Sequence, residues 1–320
     1  MWKTIVRRIL ILIPQLIILS LIIFLLADAM PGDALTGLVD PDMHYEDLLR
    51  LRAELGLDRP WPERYVEWLG NLMRGDLGRS WRYRMPVTEV IAIRAANTIR
   101  LGLLSIAFAY IIGVPLGLIA GKYREKLPDR SIIFYTFIAL AMPTAVLALI
   151  LLFLFVFVLP WFPFGGSVAV TAIPGTMDYV FSRMYHLILP AATGALLSTV
   201  GLINLLRSEV IECENADYVT TARSKGVPTR KVYTNHILKN ACLPVVMSVG
   251  FIVPGFLTGA VFIENVFSFP GMGQLFLTSI IQRDFAIVNG LVIIFAAIAI
   301  FFILLADILM MIVDPRIRIK

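Results

Sequence analysis

Six stretches of this chain are apolar for about twenty residues or more, and no other feature restricts its folding so tightly. They run from Ile9 to Ala27, Leu101 to Gly121, Ile132 to Leu159, Leu187 to Leu206, Ala241 to Ile263 and Ile287 to Val313, each bounded by charges or turn residues. About 20 helical residues cross a hydrocarbon core ~30 Å thick, because a helix rises ~1.5 Å per residue and satisfies its own backbone hydrogen bonds. Composition agrees. Only 16% of residues are charged and mean hydropathy is +0.82, whereas soluble domains carry roughly 25% charged residues, so the chain belongs in a bilayer. The first run follows Lys3, Arg7 and Arg8 and ends at Ala27-Asp28-Ala29, which resembles a signal-peptide cleavage site. Its 19 residues exceed a signal h-region of about 7 to 15, so it reads as a retained span. The third run contains Pro143 and must tilt, kink or overrun the hydrocarbon.

Six spans place both termini on one side. The loops and tails on that side hold sixteen Lys and Arg, whereas the opposite short loops hold only Arg183 and Arg283. The positive-inside rule therefore makes both termini cytoplasmic. The segment between the first two spans is external. Within it, Asp40-Pro41 followed by Leu48, Leu51, Leu55 and Gly56 predicts one capped helix, and a second starts near Pro60 or Pro62 and runs through Leu72. This gives an N-terminal segment and span over 1–30, a small external helical lobe over 31–100, a transmembrane core over 101–313 with a cytoplasmic loop at 208–240, and a cytoplasmic tail over 314–320. The lobe is either a lid on the span ends or a docking surface for an external partner.

The net charge of +5 fits loops beside anionic membrane lipid, and no basic stripe interleaved with aromatics suggests nucleic acid. Cys213 and Cys242 show no CxxC or Cys/His spacing, and the histidines at 44, 186 and 236 form no HExxH, so no disulfide framework or metal site is expected. Ser167 lacks the final Gly of a nucleophile elbow, and the only Gly-Lys pair, Gly121-Lys122, is no P-loop. The expectation is a non-enzymatic membrane protein that binds no cofactor of its own.

Gly113, Gly117 and Gly121 recur every four residues and put three Cβ-free positions on one helix face, with Pro115 suggesting a kink; Gly255 and Gly259 repeat the device beside Pro254. Between the fourth and fifth spans, Glu209 to Lys225 reads as a helix, Gly226 as its stop, and Pro228 as the opening of a second helix. Any cytoplasmic helical hairpin would look similar. Glu264, Asn265 and Asn204 are the polar candidates for a gate or pathway. Asp28, Glu264 and Asp307 lie near span ends, so an ion-coupled secondary transporter is an alternative.

The residues of that hairpin carry a resemblance. Asp217-Tyr218-Val-x-Thr221-Ala222-Arg223-x-Lys225-Gly226, then His236 and Asn240-Ala241-x-Leu243-Pro244, resembles the EAA loop of dipeptide and oligopeptide ABC-importer permeases. Arg7-Arg8 with Ile13-Pro14, Ala29-x-Pro31-Gly32-Asp33, Gly56-Leu57-Asp58-x-Pro60, Gly75-Asp76-Leu77-Gly78-x-Ser80, Glu264-x-Val266-Phe267-x-x-Pro270-Gly271-x-Gly273 and Asp314-Pro315-Arg316-Ile317-Arg318 agree in order along nearly the whole chain. Thr220 and Thr221 depart from the Glu and Ala usual in that loop, and Leu243-Pro244 falls later than in sugar permeases. The resemblance implies an all-α, six-helix type I ABC-importer permease in a bacterial or archaeal cytoplasmic membrane. It implies pairing with a paralogous permease, two cytoplasmic ATPases that bind ATP and Mg, and an external solute-binding protein. Asp217, Tyr218, Thr221, Ala222, Arg223, Lys225, Gly226 and His236 would then meet an ATPase. Peptides are the implied substrate; nickel and metallophore permeases share the body plan.

Overall fold

The computed structural model describes residues 2–28, 53 and 58–313, so most of the helix expected between Asp40 and Gly56 lies outside the described residues, as does the 314–320 tail. The regular structure of the described residues is helical, with irregular connections and one isolated β-bridge at Arg79 and Pro86. They divide into two compact units, one drawn from 1–97 and 271–301 and the other from 98–270 and 302–320.

The first unit holds helix α1 (Trp2–Asp28), α2 (Trp61–Met73), the start of α3 (Val87–Lys122), α9 (Met272–Ile281) and the start of α10 (Phe285–Val313). Pro60 precedes α2, where a missing N–H costs nothing, as the sequence suggested. Phe24 of α1 stacks edge-on against Tyr65 and tilts against Trp68 of α2, at centroid distances of 5.5 and 5.7 Å, and Tyr65 Oη shares a 2.9 Å hydrogen bond with Ser20 Oγ. Val87, Ile91, Met272, Leu275, Ile287 and Leu291 form a buried apolar core. The Ser80 hydroxyl donates to the buried Asp284 carboxylate, which pins the turn before α3 to the turn before α10.

The second unit contains the rest of α3, α4 (Leu127–Ala141), α5 (Thr144–Leu152), α6 (Met177–Glu214), α7 (Asp217–Ser224) and α8 (Leu238–Val266). The third apolar run does break at Pro143. Met142, the residue before it, is driven to extended backbone at ψ 120°, and α4 and α5 diverge by 104°. A π-helical turn, Phe153–Val158, continues α5. Pro115 leaves α3 one continuous helix.

The glycine face of α3 is where α6 lies closest. A Cβ built at Gly113, Gly117 or Gly121 would stand 2.7 Å from Leu202, 2.9 Å from Leu206 and 2.6 Å from Val210, distances real Cβ atoms do not tolerate. Gly255 and Gly259 lie in α8, but their surroundings fall outside the described residues. Large apolar side chains such as Leu103, Ile111, Phe134, Phe137, Leu140 and Phe153 point outward while Thr193 and Thr199 are buried, the reverse of a water-soluble protein. Among the described residues, α3, α6 and α10 are long and apolar enough to cross a membrane, the bent α4–α5 pair makes a fourth, and Leu10–Leu26 is a shorter apolar helix.

Candidate functional site

The hairpin between α6 and α8 is built from its own stop signal. Helix α7 closes with Val227 N bonded to the Ala222 carbonyl at 3.2 Å and Gly226 N to the Arg223 carbonyl at 3.0 Å, the paired bonds of a Schellman ending. That ending needs a left-handed residue, and Gly226 supplies it at φ 73°. Pro228 then precedes a single helical turn, Thr229–Lys231, followed by the π-helical turn Val232–Ile237 that runs into α8. Val219 and Ala222 drop into an apolar cluster with Val210, Val232, Tyr233 and Ile237.

Polar contacts tie the hairpin to the end of α6. Arg223 pairs with Glu214 at 2.8 Å, and the Tyr233 hydroxyl donates to the same Glu214 oxygen at 2.8 Å. Burial, reinforced by that carboxylate, pushes the Tyr233 phenol up to about 12, so it stays a donor at neutral pH. Lys122 Nζ stands 5.1 Å from the Tyr233 ring centroid and joins the end of α3 to the same cluster. Nearby, Asp129 in the first turn of α4 accepts two hydrogen bonds from Arg207 of α6, at 2.7 and 2.9 Å, and one from Glu125 N at 2.8 Å.

The structure sorts the residues expected at a partner contact. Asp217, Tyr218, Thr221, Arg223, Lys225 and Gly226 are exposed, and His236 is half-buried, its carbonyl accepting from Asn240. Ala222, by contrast, is only 6% exposed and packs with Val219 into the chain's own apolar cluster. The spacing already permitted this reading, because Val219 and Ala222 are three apart and lie on one helix face.

The gate candidates separate too. Glu264 is fully buried at the end of α8 and accepts from the Thr98 hydroxyl at 2.6 Å. Asn265 is half-buried and donates to the Val261 carbonyl of its own helix. Asn204 is exposed on α6, in line with exposed Gly201 and Ser208 and half-buried Ser198. That face leads into a cleft of about 350 Å³ lined by Thr144, Gly194, Ser198, Gly201, Phe256 and other apolar groups. Sequence reasoning found Asn204 alone; the recurrence of small or polar residues at 194, 198, 201, 204 and 208, at helical spacing inside an apolar run, was the signal for the rest.

A bundle of outward-apolar helices with a cleft beside α6 and a pinned hairpin is the fold of an ABC-transporter membrane component. It matches a solved amino acid ABC transporter crystallised with histidines at a TM-score of 0.51 and 15% identity, covering 69% of this chain and 92% of that one. The chain belongs to the family of binding-protein-dependent transport system inner membrane components, matched over residues 113–319, with the corresponding N-terminal family matched over 1–102. It is 38% identical to the oligopeptide transport system permease protein AppB of Bacillus subtilis over 98% of both chains, and 32% identical to the dipeptide transport system permease protein DppB of Escherichia coli over 100% of both.

Proposed function

We propose that this chain is one half of the translocation pathway of an ATP-driven peptide importer. The observation that carries the reading is end-to-end similarity to an oligopeptide and a dipeptide permease, which also favours peptides over the nickel or metallophore alternative. The chain pairs with a paralogous permease and spans the cytoplasmic membrane six times with both termini inside. Two ATPases hold ATP and Mg and grip one 208–240 loop each, while an external binding protein delivers the peptide. The chain itself performs no chemistry and binds no cofactor. Its exposed polar face on α6, from Ser198 through Gly201 and Asn204 to Ser208, is one wall of the path. Neutral groups there suit a ligand whose constant part is its backbone.

The test uses the exposed face of the hairpin, because an Asp at Ala222 would bury an unpaired carboxylate and unfold the loop whatever its partner. Thr221 is exposed, its hydroxyl donating to the Asp217 carbonyl of its own helix. Thr221→Arg should leave membrane level and pairing with the second permease unchanged while releasing the ATPase and abolishing uptake. Thr229→Ala should be nearly silent. Wild-type uptake with the ATPase retained in Thr221→Arg would exclude this loop as the motor contact.

A further inference from the structure

The turn joining α2 to α3 carries guanidinium groups that no carboxylate answers among the described residues. Arg79, Arg82 and Arg84 fall within six residues, and Arg283 sits on the turn between α9 and α10 of the same unit; all four are exposed. Among the described residues none of them enters an ion pair. Arg79 Nη2 donates to the Arg84 carbonyl at 3.0 Å, and the Arg82 guanidinium lies 5.8 Å from the Tyr83 ring centroid. The neighbouring acids are already engaged, Asp76 by Gly78 N and Asp284 by Ser80.

The four charges are held in place rather than left on a floppy loop. Ser80 N bonds the Met85 carbonyl at 3.1 Å, Arg84 N the Ser80 carbonyl at 3.0 Å and Val87 N the Gly78 carbonyl at 3.0 Å, while Trp81 Nε1 donates to the Arg283 carbonyl and links the two turns. Arg84 and Arg283 themselves sit in left-handed backbone, at φ 53° and 59°, a conformation that side-chain-bearing residues keep only when their surroundings hold them there. Like charges fixed together repel one another, so the arrangement favours an anionic partner.

Residue type narrows the partner. All seven lysines lie in the segments read as cytoplasmic, and the twelve basic residues of the segments read as external are all arginine. A fluid lipid headgroup layer adapts to ammonium and guanidinium alike. A protein surface with fixed carboxylates rewards the planar, bidentate guanidinium, and arginine is the basic residue enriched at protein interfaces. We infer that Arg79, Arg82, Arg84 and Arg283 form a docking surface for an acidic face of the external solute-binding protein. The inference rests on the importer reading and its topology, and its charge pairs would set encounter rate and register.

The intact transporter, with partner permease and ATPases, is placed in nanodiscs of zwitterionic lipid and titrated with the binding protein that copurifies with it, reading stimulated ATP hydrolysis. In the wild type the half-saturating binding-protein concentration should rise as salt is raised to about 0.3 M. Arg79→Glu/Arg82→Glu should raise it about tenfold or more at low salt and flatten that salt dependence, with basal hydrolysis unchanged. Arg79→Lys/Arg82→Lys should recover only part of the loss. An unchanged half-saturating concentration in the charge-reversed variant overturns the docking surface. So does an effect confined to discs containing phosphatidylglycerol, which would assign the arginines to headgroups. Absence of any stimulation in the wild type would instead sink the importer reading beneath it.

Discussion

Asp129 shows what single atoms contribute to the end of α6. Its carboxylate is 3% exposed and receives both Arg207 nitrogens, whose side chain keeps 23% exposure. Asp129→Asn would leave that guanidinium without its counter-charge. Breaking a fully enclosed pair costs about 3 to 5 kcal/mol; Arg207 can partly reach solvent, so a loss of about 1 to 3 kcal/mol is expected. A fall in the thermal midpoint of the purified complex, recovered in part by Asp129→Glu, would report it, and an unchanged midpoint would show the pair to be ornamental. Little of this was legible beforehand. Asp129 and Arg207 are 78 positions apart, and only Arg207 enters the sequence reading, as one of the positive charges counted for topology, because a sequence shows charge but not which opposite charge folding brings within 3 Å.

Between elements, the α3–α6 contact and the α6 cleft respond oppositely to the same change. A side chain at Gly117 meets Leu206 and the Ile203 carbonyl, whereas one at Gly201 meets nothing within 4 Å. Gly117→Leu should therefore lower stability by about 1 to 3 kcal/mol, with little hydrophobic compensation in lipid, and reduce the yield of assembled complex. Gly201→Phe should leave yield intact yet cut uptake severalfold while binding-protein-stimulated ATP hydrolysis persists, since it would fill the cleft proposed as the path without touching the hairpin. Equal stability losses in the two variants would mean that Gly201 also packs against a neighbour. The glycine ladder and the helix, stop, helix pattern could be read because each follows from residue spacing within one segment. The size of the 104° divergence at Pro143 and the π-helical turns could not, since each is decided by what packs alongside.

For the molecule as a whole, the charge asymmetry of the short loops predicts which surfaces water reaches from each side. Val170 lies fully exposed in the segment read as external, and Thr229 is exposed on the hairpin read as internal. With Cys213 and Cys242 replaced by Ala, Val170→Cys should react with an impermeant thiol reagent in intact cells, and Thr229→Cys only after permeabilisation; the opposite pattern would invert the six-span arrangement. Helix α6 gives the assembly a mechanical property. Its 38 residues run without a break past Pro190 from Met177 to Glu214, a rod of ~57 Å at ~1.5 Å per residue, with the hairpin riveted to one end through Glu214. A rod does not absorb a push; it pivots. Tilting it by about 10° swings the far end by about 10 Å for that length, more than the width of an extended peptide chain. If the hairpin takes the motor's stroke, as proposed, a small movement there would be geared up into a larger displacement at the far end of α6.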